Sequence, residues 1–132
     1  MSDHQSEQLS SLLHNHQYAN LFTFRKNGVA VKTPIWFAEH AGRLYVMTNM
    51  SAGKVKRIRN SGRVEIGPSD QAGKPLGPTV EAQARLLSNP EEIQLAKRSL
   101  DAKYGLFKKI FDVFGKLSGA ERAWIEISEM AP

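Results

Sequence analysis

Short runs of apolar and β-branched residues, separated by turn signals, recur along the first part of the chain and predict a sheet. Two such runs, residues 21–25 and 29–38, flank the pair Asn27-Gly28, which suits the positive φ angles of a type I′ hairpin turn. Residues 43–48 are predicted as a third strand, with Leu44 and Val46 on one face and Tyr45 and Met47 on the other. These three runs predict an antiparallel meander.

Further strands are predicted after a helical stretch. We place a fourth strand at residues 63–67 and a fifth at 79–87, joined by a Pro- and Gly-rich connection, and a last strand at 123–128. In the fifth strand, Ala82 and Ala84 share one face. Their small side chains either admit a close backbone or a flat ligand, or fit a crowded core.

Apolar residues at helical spacing appear between and around these strands. Residues 6–16 predict a short amphipathic helix that packs on the edge of the strand assembly. Residues 54–60 predict a second helix, with Ser51 as its candidate N-cap and Gly62 as its candidate C-cap.

Two helices are predicted before the last strand. Asn89 and Pro90 mark a helix start, and this helix should run to about Lys103. A second amphipathic helix follows over residues 107–117. Together, the predicted strands and helices indicate an α+β, barrel-like fold. One domain, 1–132, would then comprise an N-terminal helix (1–17), barrel strands (18–87), helices (90–117) and the last strand (123–128).

Length and composition limit the kind of protein. The chain has 132 residues, 41% of them hydrophobic, and therefore supports one folded core. It contains no cysteine, which excludes disulfides, thiolate metal ligands and thiol nucleophiles. No leader peptide or membrane-spanning run is visible, so we expect a soluble, cytoplasmic protein.

The net charge of +5 is concentrated in one segment. No acidic residue occurs between Glu39 and Glu65. The cations in this interval are Arg43, Lys54, Lys56, Arg57, Arg59 and Arg63. Such a cluster indicates an anionic partner, for example a phosphate-bearing cofactor or a nucleic acid, or else a merely solvated basic helix.

Three familiar kinds of catalytic site find no support. Five residues separate Gly67 from Gly73, one more than in a Walker A loop, and Pro75 stands where that loop needs a hydroxyl. His14 and His16 point apart on a helix, with no acid or cysteine to complete a metal site. A Gly-x-Ser-x-Gly nucleophile elbow is missing. We predict no metal site and no catalytic side chain.

One segment has the chemistry of an anion site. Thr48 and Asn49 end a strand, and Lys54 and Arg57 lie one turn apart at the start of the following helix. Unpaired backbone N–H groups at a helix start, together with two cations, suit one phosphate. The alternative is that Thr48 and Ser51 are ordinary caps and Lys54 is solvated.

Pro34 interrupts the predicted strand at 29–38. Because proline cannot donate to a strand ladder, this strand must be an edge or carry a bulge. Backbone groups near Pro34 would then either bond a planar heteroaromatic ligand or belong to an ordinary edge strand.

Five short motifs, taken in order and spacing, resemble the split-barrel flavin-binding superfamily of pyridoxamine 5′-phosphate oxidase. They are residues 21–28, 33–37, 44–48, 53–57 and 63–64. They are most similar to the branch of deazaflavin-dependent (coenzyme F420) oxidoreductases. The resemblance covers roughly residues 18–127.

The resemblance implies a homodimer of split barrels whose cofactor lies in a groove at the interface. The strand beside the ring would contribute Thr33, Pro34, Ile35 and Trp36, and Trp36 either lines the ring or belongs to the dimer core. The loop on the phosphate side would contribute Thr48, Asn49 and Ser51. The cations that bind the phosphate would be Lys54 and Arg57.

The implied activity is hydride transfer between FMN or coenzyme F420 and a small organic substrate. Lys56, Arg59 and Arg63 could attract the long acidic tail of F420, whereas FMN needs fewer cations. The chain departs from true pyridoxamine phosphate oxidases in lacking a recognisable Arg-rich C-terminal segment, which puts that particular activity in doubt.

Two other kinds of function stay open at this point. One is a non-catalytic carrier or sensor that binds FMN or haem. The other is a nucleic-acid-binding barrel, but the aromatic-rich signature of an RNA-recognition motif is missing. We therefore expect a small-molecule substrate and neither nucleic acid nor membrane as a partner.

Overall fold

The structure of the protein is a computed structural model that describes residues 9–105 and 121–130. Its strands are β1 (Tyr18–Phe24), β2 (Ala30–Trp36), β3 (Ala38–His40), β4 (Arg43–Asn49), β5 (Arg63–Ser69), β6 (Val80–Leu86) and β7 (Arg122–Glu129). Its helices are α1 (Gly53–Asn60) and α2 (Pro90–Lys103), preceded by a helical turn at residues 9–13.

All the strands join one antiparallel sheet in the order β2-β1-β5-β6-β7-β4-β3. The two edge strands, β2 and β3, are consecutive in the chain, and β2 also contacts β4. The sheet is therefore curled into a barrel that stays open between its edges. This confirms the predicted α+β split barrel. The second predicted helix, at 107–117, lies outside the described residues.

The predicted meander of the first three strands is wrong. The long run at 29–38 breaks at Phe37, whose N–H donates to the Tyr104 hydroxyl at 3.2 Å instead of to a strand. Residues 38–40 then pair with β4, and the other side of β4 pairs with β7, with Val46 opposite Ile125. The distant strand β7 thus occupies the position beside β4 that the local pattern assigned to β2.

The β1–β2 turn is also not of type I′. Only Gly28 has a positive φ, +89°, and the Arg25 N–H donates to the Val29 carbonyl at 2.9 Å across a three-residue loop. A turn with both central residues at positive φ occurs instead between β3 and β4, at Ala41 (+52°) and Gly42 (+79°).

The core lies inside the curled sheet. Leu21, Val46, Ile66 and Ile125 are completely or almost completely buried there, together with the small side chains on the inner face of β6. Leu9 and Leu13 of the N-terminal helical turn are buried in the same cluster. The N-terminal segment therefore completes the core, which is a closer association than the predicted packing on an edge.

The helix caps match the predictions in one of three places. Asn89 caps α2 as predicted, because its side chain accepts hydrogen bonds from the N–H groups of Glu91 and Glu92. Ser51 is not the N-cap of α1, which is Ala52, and no side chain caps that helix start. Gly62 is not a left-handed C-cap either. A Cβ at Gly62 would lie 2.9 Å from the Ala84 carbonyl oxygen, so this glycine allows the close approach of β6.

Across residues 9–105 and 121–130, no helix is long and apolar enough to cross a membrane.

Candidate functional site: the cationic start of helix α1

Helix α1 lies against β1 and β6, and its position exposes a cationic side. Val55 and Ile58 are the buried residues of the helix and fix its orientation. The four basic residues of the helix have charged groups that must reach water. Lys56 and Arg59 are exposed, whereas Lys54 and Arg57 are only half-exposed.

The Arg57 side chain folds back over the helix start. Its Nε donates to Thr23 Oγ1 on β1 at 2.6 Å. Its Nη1 lies 2.8 Å from the point that a Cβ on residue 53 would occupy. The guanidinium therefore sits beside the first turn of α1, and the missing side chain of Gly53 makes the space for it.

Lys54 and Arg57 carry charges that the fold leaves uncompensated. Burial lowers the pKa of Lys54, and repulsion from Arg57 lowers this pKa further. Burial also lowers the pKa of Arg57, with a second contribution from Arg25. Within the described part of the chain, no carboxylate lies within 4 Å of either side chain. A bound anion would relieve this repulsion.

The backbone adds to the same preference. The first turn of α1 contains no acidic residue and its N-cap, Ala52, offers no side-chain acceptor. Helix starts carry unpaired N–H groups and a positive dipole end, both of which favour an anion.

The two arginines of the basic segment that lie outside α1, Arg43 and Arg63, are paired with acids. Arg63 Nε contacts Glu81 Oε1 at 2.6 Å, and the Arg63 guanidinium lies 4.4 Å from the centre of the Phe24 ring. Arg43 lies 3.7 Å from Glu126 Oε2. The uncompensated positive charge therefore covers less of the chain than the acid-free segment between Glu39 and Glu65, and it is concentrated at α1.

The phosphate-side loop residues lie directly before α1. Thr48 is buried at the end of β4, opposite Ala123 of β7. The Asn49 carbonyl accepts a hydrogen bond from the Ala52 N–H at 3.0 Å, while Ser51 is exposed. Asn49 is half-buried and Ser51 is exposed, whereas Thr48 is buried.

The residues of the proline-interrupted strand divide between two faces. Among the described residues β2 pairs only with β1, so it is an edge strand, which is one of the two arrangements that Pro34 allows. Ile35 is buried in the main core, so that only its backbone can meet a ligand. Thr33 shares this inner face and is half-buried, whereas Pro34 and Trp36 lie on the outer face.

The outer face of β2 is partly occupied by the protein itself. The Trp36 ring packs against Tyr18, with ring centres 5.7 Å apart, and against Tyr104 at 5.0 Å. Pro34 borders Gly73 in the connection between β5 and β6. Trp36 thus belongs at least in part to an aromatic cluster within the subunit.

The sheet register connects the cations to β2. Thr23, the partner of Arg57, lies opposite Val31, which is two residues from Thr33 on the same face. The structure therefore places the Arg57 guanidinium beside the face of β1 and β2 that carries Thr23 and Val31, whereas Pro34 and Trp36 lie on the other face of β2.

Two residues of this region were missed in the sequence. Thr23 binds the guanidinium, and Arg25 adds a third cation near Arg57. Thr23 did carry a signal, since it is a polar residue at an inward position of β1, two residues after buried Leu21. Arg25 carried none.

No family model and no curated protein matches the chain. Solved structures do match it over almost its whole length. An FAD-binding protein from Mesorhizobium loti is 12% identical, with a TM-score of 0.68, and the match covers 96% of this chain and 88% of that one. HutZ, the haem storage protein from Vibrio cholerae, is 15% identical, with a TM-score of 0.67 and coverages of 96% and 90%.

A third match has a name that refers to the family resembled by the sequence. It is a protein from Listeria innocua named for a proposed pyridoxamine 5′-phosphate oxidase activity. It is 14% identical, with a TM-score of 0.59 and coverages of 96% and 94%. At such low identities the likeness establishes the fold: this chain is a split barrel of the kind that these proteins share.

Proposed function

We propose that this protein is an oxidoreductase that depends on a flavin or a deazaflavin, binding the phosphate of FMN or coenzyme F420 at the start of α1. The observation that carries the proposal is the pair Lys54 and Arg57, partly buried, mutually repelling and without an acidic partner among the described residues. The split-barrel fold, shared with an FAD-binding protein, supports the same conclusion.

The residues present fit a phosphate monoester. Lys54 Nζ and the Nη groups of Arg57 would donate to its oxygens, together with N–H groups of the first helical turn. Asn49 and Ser51 would complete the hydrogen bonds from the preceding loop, beside buried Thr48. Two cations at a helix start match the two negative charges of such a group.

The ring would lie toward β2. The backbone at Thr33 and Ile35 would orient it, with Pro34 and Trp36 on the far side of the strand. The bound ring supplies the hydride chemistry, so the chain has to position it and shield it from water. We further propose that two copies pair, so that the groove for the ring forms at their interface.

F420 and FMN make different demands on the rest of α1. Arg63 is engaged with Glu81, whereas Lys56 and Arg59 are exposed on α1 beside the site. These two residues could attract the acidic tail of F420, whereas FMN has no group that would use them.

A haem-binding carrier is the second candidate, favoured by the fold shared with a haem storage protein. Haem carboxylates would also suit the cations of α1. Absorbance spectra distinguish bound haem from a bound flavin. A turnover assay distinguishes a carrier from an enzyme, because a carrier binds its ligand without turnover when a reductant and an acceptor are supplied.

The test is titration of the purified protein with FMN, F420, haem and phosphate-free riboflavin. Lys54→Ala should weaken binding of the phosphorylated cofactor by about 1.5 to 3 kcal/mol, the value of a charge-assisted hydrogen bond. Riboflavin affinity should not change, and Lys56→Ala is the matched control on the same helix. Equal losses for riboflavin and FMN, or no loss for either, would contradict the phosphate assignment.

A further inference from the structure

A third cation lies beside the candidate phosphate site, at the β1–β2 hairpin. Thr23 on the inner face of β1 accepts the 2.6 Å hydrogen bond from Arg57 Nε. Arg25 comes two residues later, and its N–H donates to the Val29 carbonyl at 2.9 Å, which continues the pairing of β1 with β2. Residues two apart on a strand share a face and lie about 7 Å from each other. The Arg25 side chain therefore starts on the face over which the Arg57 guanidinium folds.

The main chain of the hairpin holds Arg25 in place. Besides the bond to Val29, the Arg25 carbonyl accepts a hydrogen bond from the Gly28 N–H at 2.8 Å. Both bonds are made by backbone groups, so they do not depend on the guanidinium. The residue itself is exposed, which leaves its side chain accessible to a ligand.

The charge of Arg25 has no acidic partner in the part of the chain that the structure describes. Residues 9–105 and 121–130 bring no carboxylate within 4 Å of its side chain. Glu65, on the strand next to β1, contacts Arg63 at 3.5 Å instead. The hairpin thus adds positive charge to the region of α1 without adding an acid.

Three neighbouring cations exceed what a single phosphate needs. Arg57 lies next to both of the others, because it repels Lys54 and is itself repelled by Arg25. A phosphate monoester carries about two negative charges near neutral pH, which Lys54 and Arg57 would match. Arg25 would then keep an unmatched charge beside the bound phosphate. A second anionic group next to the first would match it.

The two exposed cations of α1 are less well placed for such a group. Lys56 is two residues from Lys54, and Arg59 is two residues from Arg57, and side chains at this separation do not face each other on a helix. The Arg59 guanidinium also turns toward the loop before the helix, where its Nη2 donates to Met50 Sδ at 3.3 Å. These residues attract an anion at long range, whereas the hairpin cation is placed for contact.

We propose that Arg25 binds a second anionic group adjacent to the phosphate, so that the ligand of this site carries two neighbouring anionic groups. The inference rests on the proposed function, because it takes the phosphate at the start of α1 as given. FAD offers such a pair in its diphosphate, and F420 offers one in its phosphate and acidic tail. FMN has a single phosphate. Arg25 is then a specificity-determining residue that adds affinity for FAD and F420 but not for FMN.

Inorganic ions test this assignment without the ring. Binding of pyrophosphate and of phosphate is measured by calorimetry at constant ionic strength. Arg25→Gln should weaken pyrophosphate binding about tenfold, the value of one charge-assisted hydrogen bond, and phosphate binding less than about twofold. Lys26→Gln is the matched control, because it removes the same charge from the same loop and should change neither affinity. Arg25→Lys, which keeps the charge, should retain most of the pyrophosphate affinity.

Titration with FMN, FAD and F420 distinguishes the two sources of the second group. A loss of about tenfold in Arg25→Gln for FAD alone assigns the diphosphate, and the same loss for F420 alone assigns the acidic tail. FMN affinity should stay within about twofold in either case.

Two results would overturn the role of Arg25 while leaving the phosphate site at α1 intact. One is a loss for pyrophosphate, FAD and F420 that is no larger than the loss for phosphate and FMN. The other is an equal loss in Arg25→Gln and Lys26→Gln, which would reduce the effect to net charge. If the parent protein binds neither phosphate nor FMN, the proposed function and this inference both fail.

Discussion

Two arginine-containing regions of this small barrel differ in how the fold treats their charge. On the outer face of β4, β6 and β7, Arg85 reaches both Glu126 and Glu92, with its Nε 3.0 Å from Glu126 Oε1. Arg43 and the Tyr45 hydroxyl also approach Glu126, at 3.7 and 3.3 Å. At the start of α1, by contrast, Lys54 and Arg57 have each other and Thr23 as neighbours, and residues 9–105 and 121–130 bring no acid within 4 Å of them.

The difference distinguishes a network that stabilises the fold from a site prepared for a ligand. In the first region each buried or half-buried charge is paired with an opposite charge of the protein, so removing one partner leaves the other charge unpaired. In the second region no acid among the described residues pairs with the two cations, so removing one cation relieves repulsion. Substitutions of similar chemistry should therefore have opposite effects on stability.

The largest expected effect is at Glu126. Its side chain is almost fully buried, and Glu126→Gln leaves Arg85 and Arg43 facing a neutral group while weakening the hydrogen bond with Tyr45. We expect a loss of about 2 to 3 kcal/mol, less than for a fully buried pair because both arginines are half-exposed. Urea unfolding measures this change.

Glu92→Gln is the matched control for Glu126. Glu92 binds the same arginine, Arg85, but is much more exposed. Its replacement should cost much less stability than that of Glu126, because solvent screens a surface ion pair. Equal losses for the two variants would show that burial does not distinguish the network, and the contrast with α1 would lose its basis.

The next effect concerns the geometry of the anion site. A methyl group at position 53 would meet Arg57 Nη1 at 2.8 Å, so Gly53→Ala should push the guanidinium aside. This movement costs little stability because it involves only the tip of a flexible side chain. Phosphate-dependent binding should fall about tenfold, or about 1.4 kcal/mol, if one charged hydrogen bond is lost.

The measurement for Gly53→Ala combines FMN titration with thermal unfolding. Arg57→Gln provides the reference for losing the guanidinium altogether. If Gly53→Ala binds FMN like the parent protein while Arg57→Gln does not, the guanidinium reaches the phosphate from a position other than the one beside Gly53.

The sequence predicted the class of fold but not how all its strands are divided and paired. Most strand positions, the helix start at Asn89 and the edge position of Pro34 depend on a few neighbouring residues and were confirmed, whereas the single run at 29–38 divides into β2 and β3. The pairing of β4 with β7 joins Val46 to Ile125 and could not be found from local alternation. That pairing was decided by burial on both sides of the sheet.

The candidate site shows the same division. Lys54 and Arg57 were predicted as site residues because they are one turn apart, which is a local property, and their role stays a prediction. The Thr23–Arg57 contact crosses 34 positions of the chain and depends on how α1 lies over β1. The pairing of Arg43 and Arg63 with acids was equally invisible, so the sequence overestimated the extent of the free charge.

The smallest effect gives the clearest contrast in sign. Lys54→Met removes a cation that burial and Arg57 both disfavour, so the free protein should gain about 0.3 to 0.5 kcal/mol at pH 7, the size of a like-charge pair on a helix. Because the pKa of Lys54 is lowered in the folded state, its charge destabilises the fold at low pH. That penalty disappears as pH rises from the folded toward the unfolded pKa.

The gain from Lys54→Met should therefore shrink as pH rises to about 10.4, the pKa of an ordinary lysine. Unfolding of both proteins in urea across this pH range, with Lys56→Met as the exposed control, measures it. Inorganic phosphate should stabilise the parent protein by binding only its folded form, and this effect should be weaker in Lys54→Met. If Lys54→Met destabilises the free protein instead, its ammonium already has a partner, and the start of α1 is a structural cap like the network around Glu126.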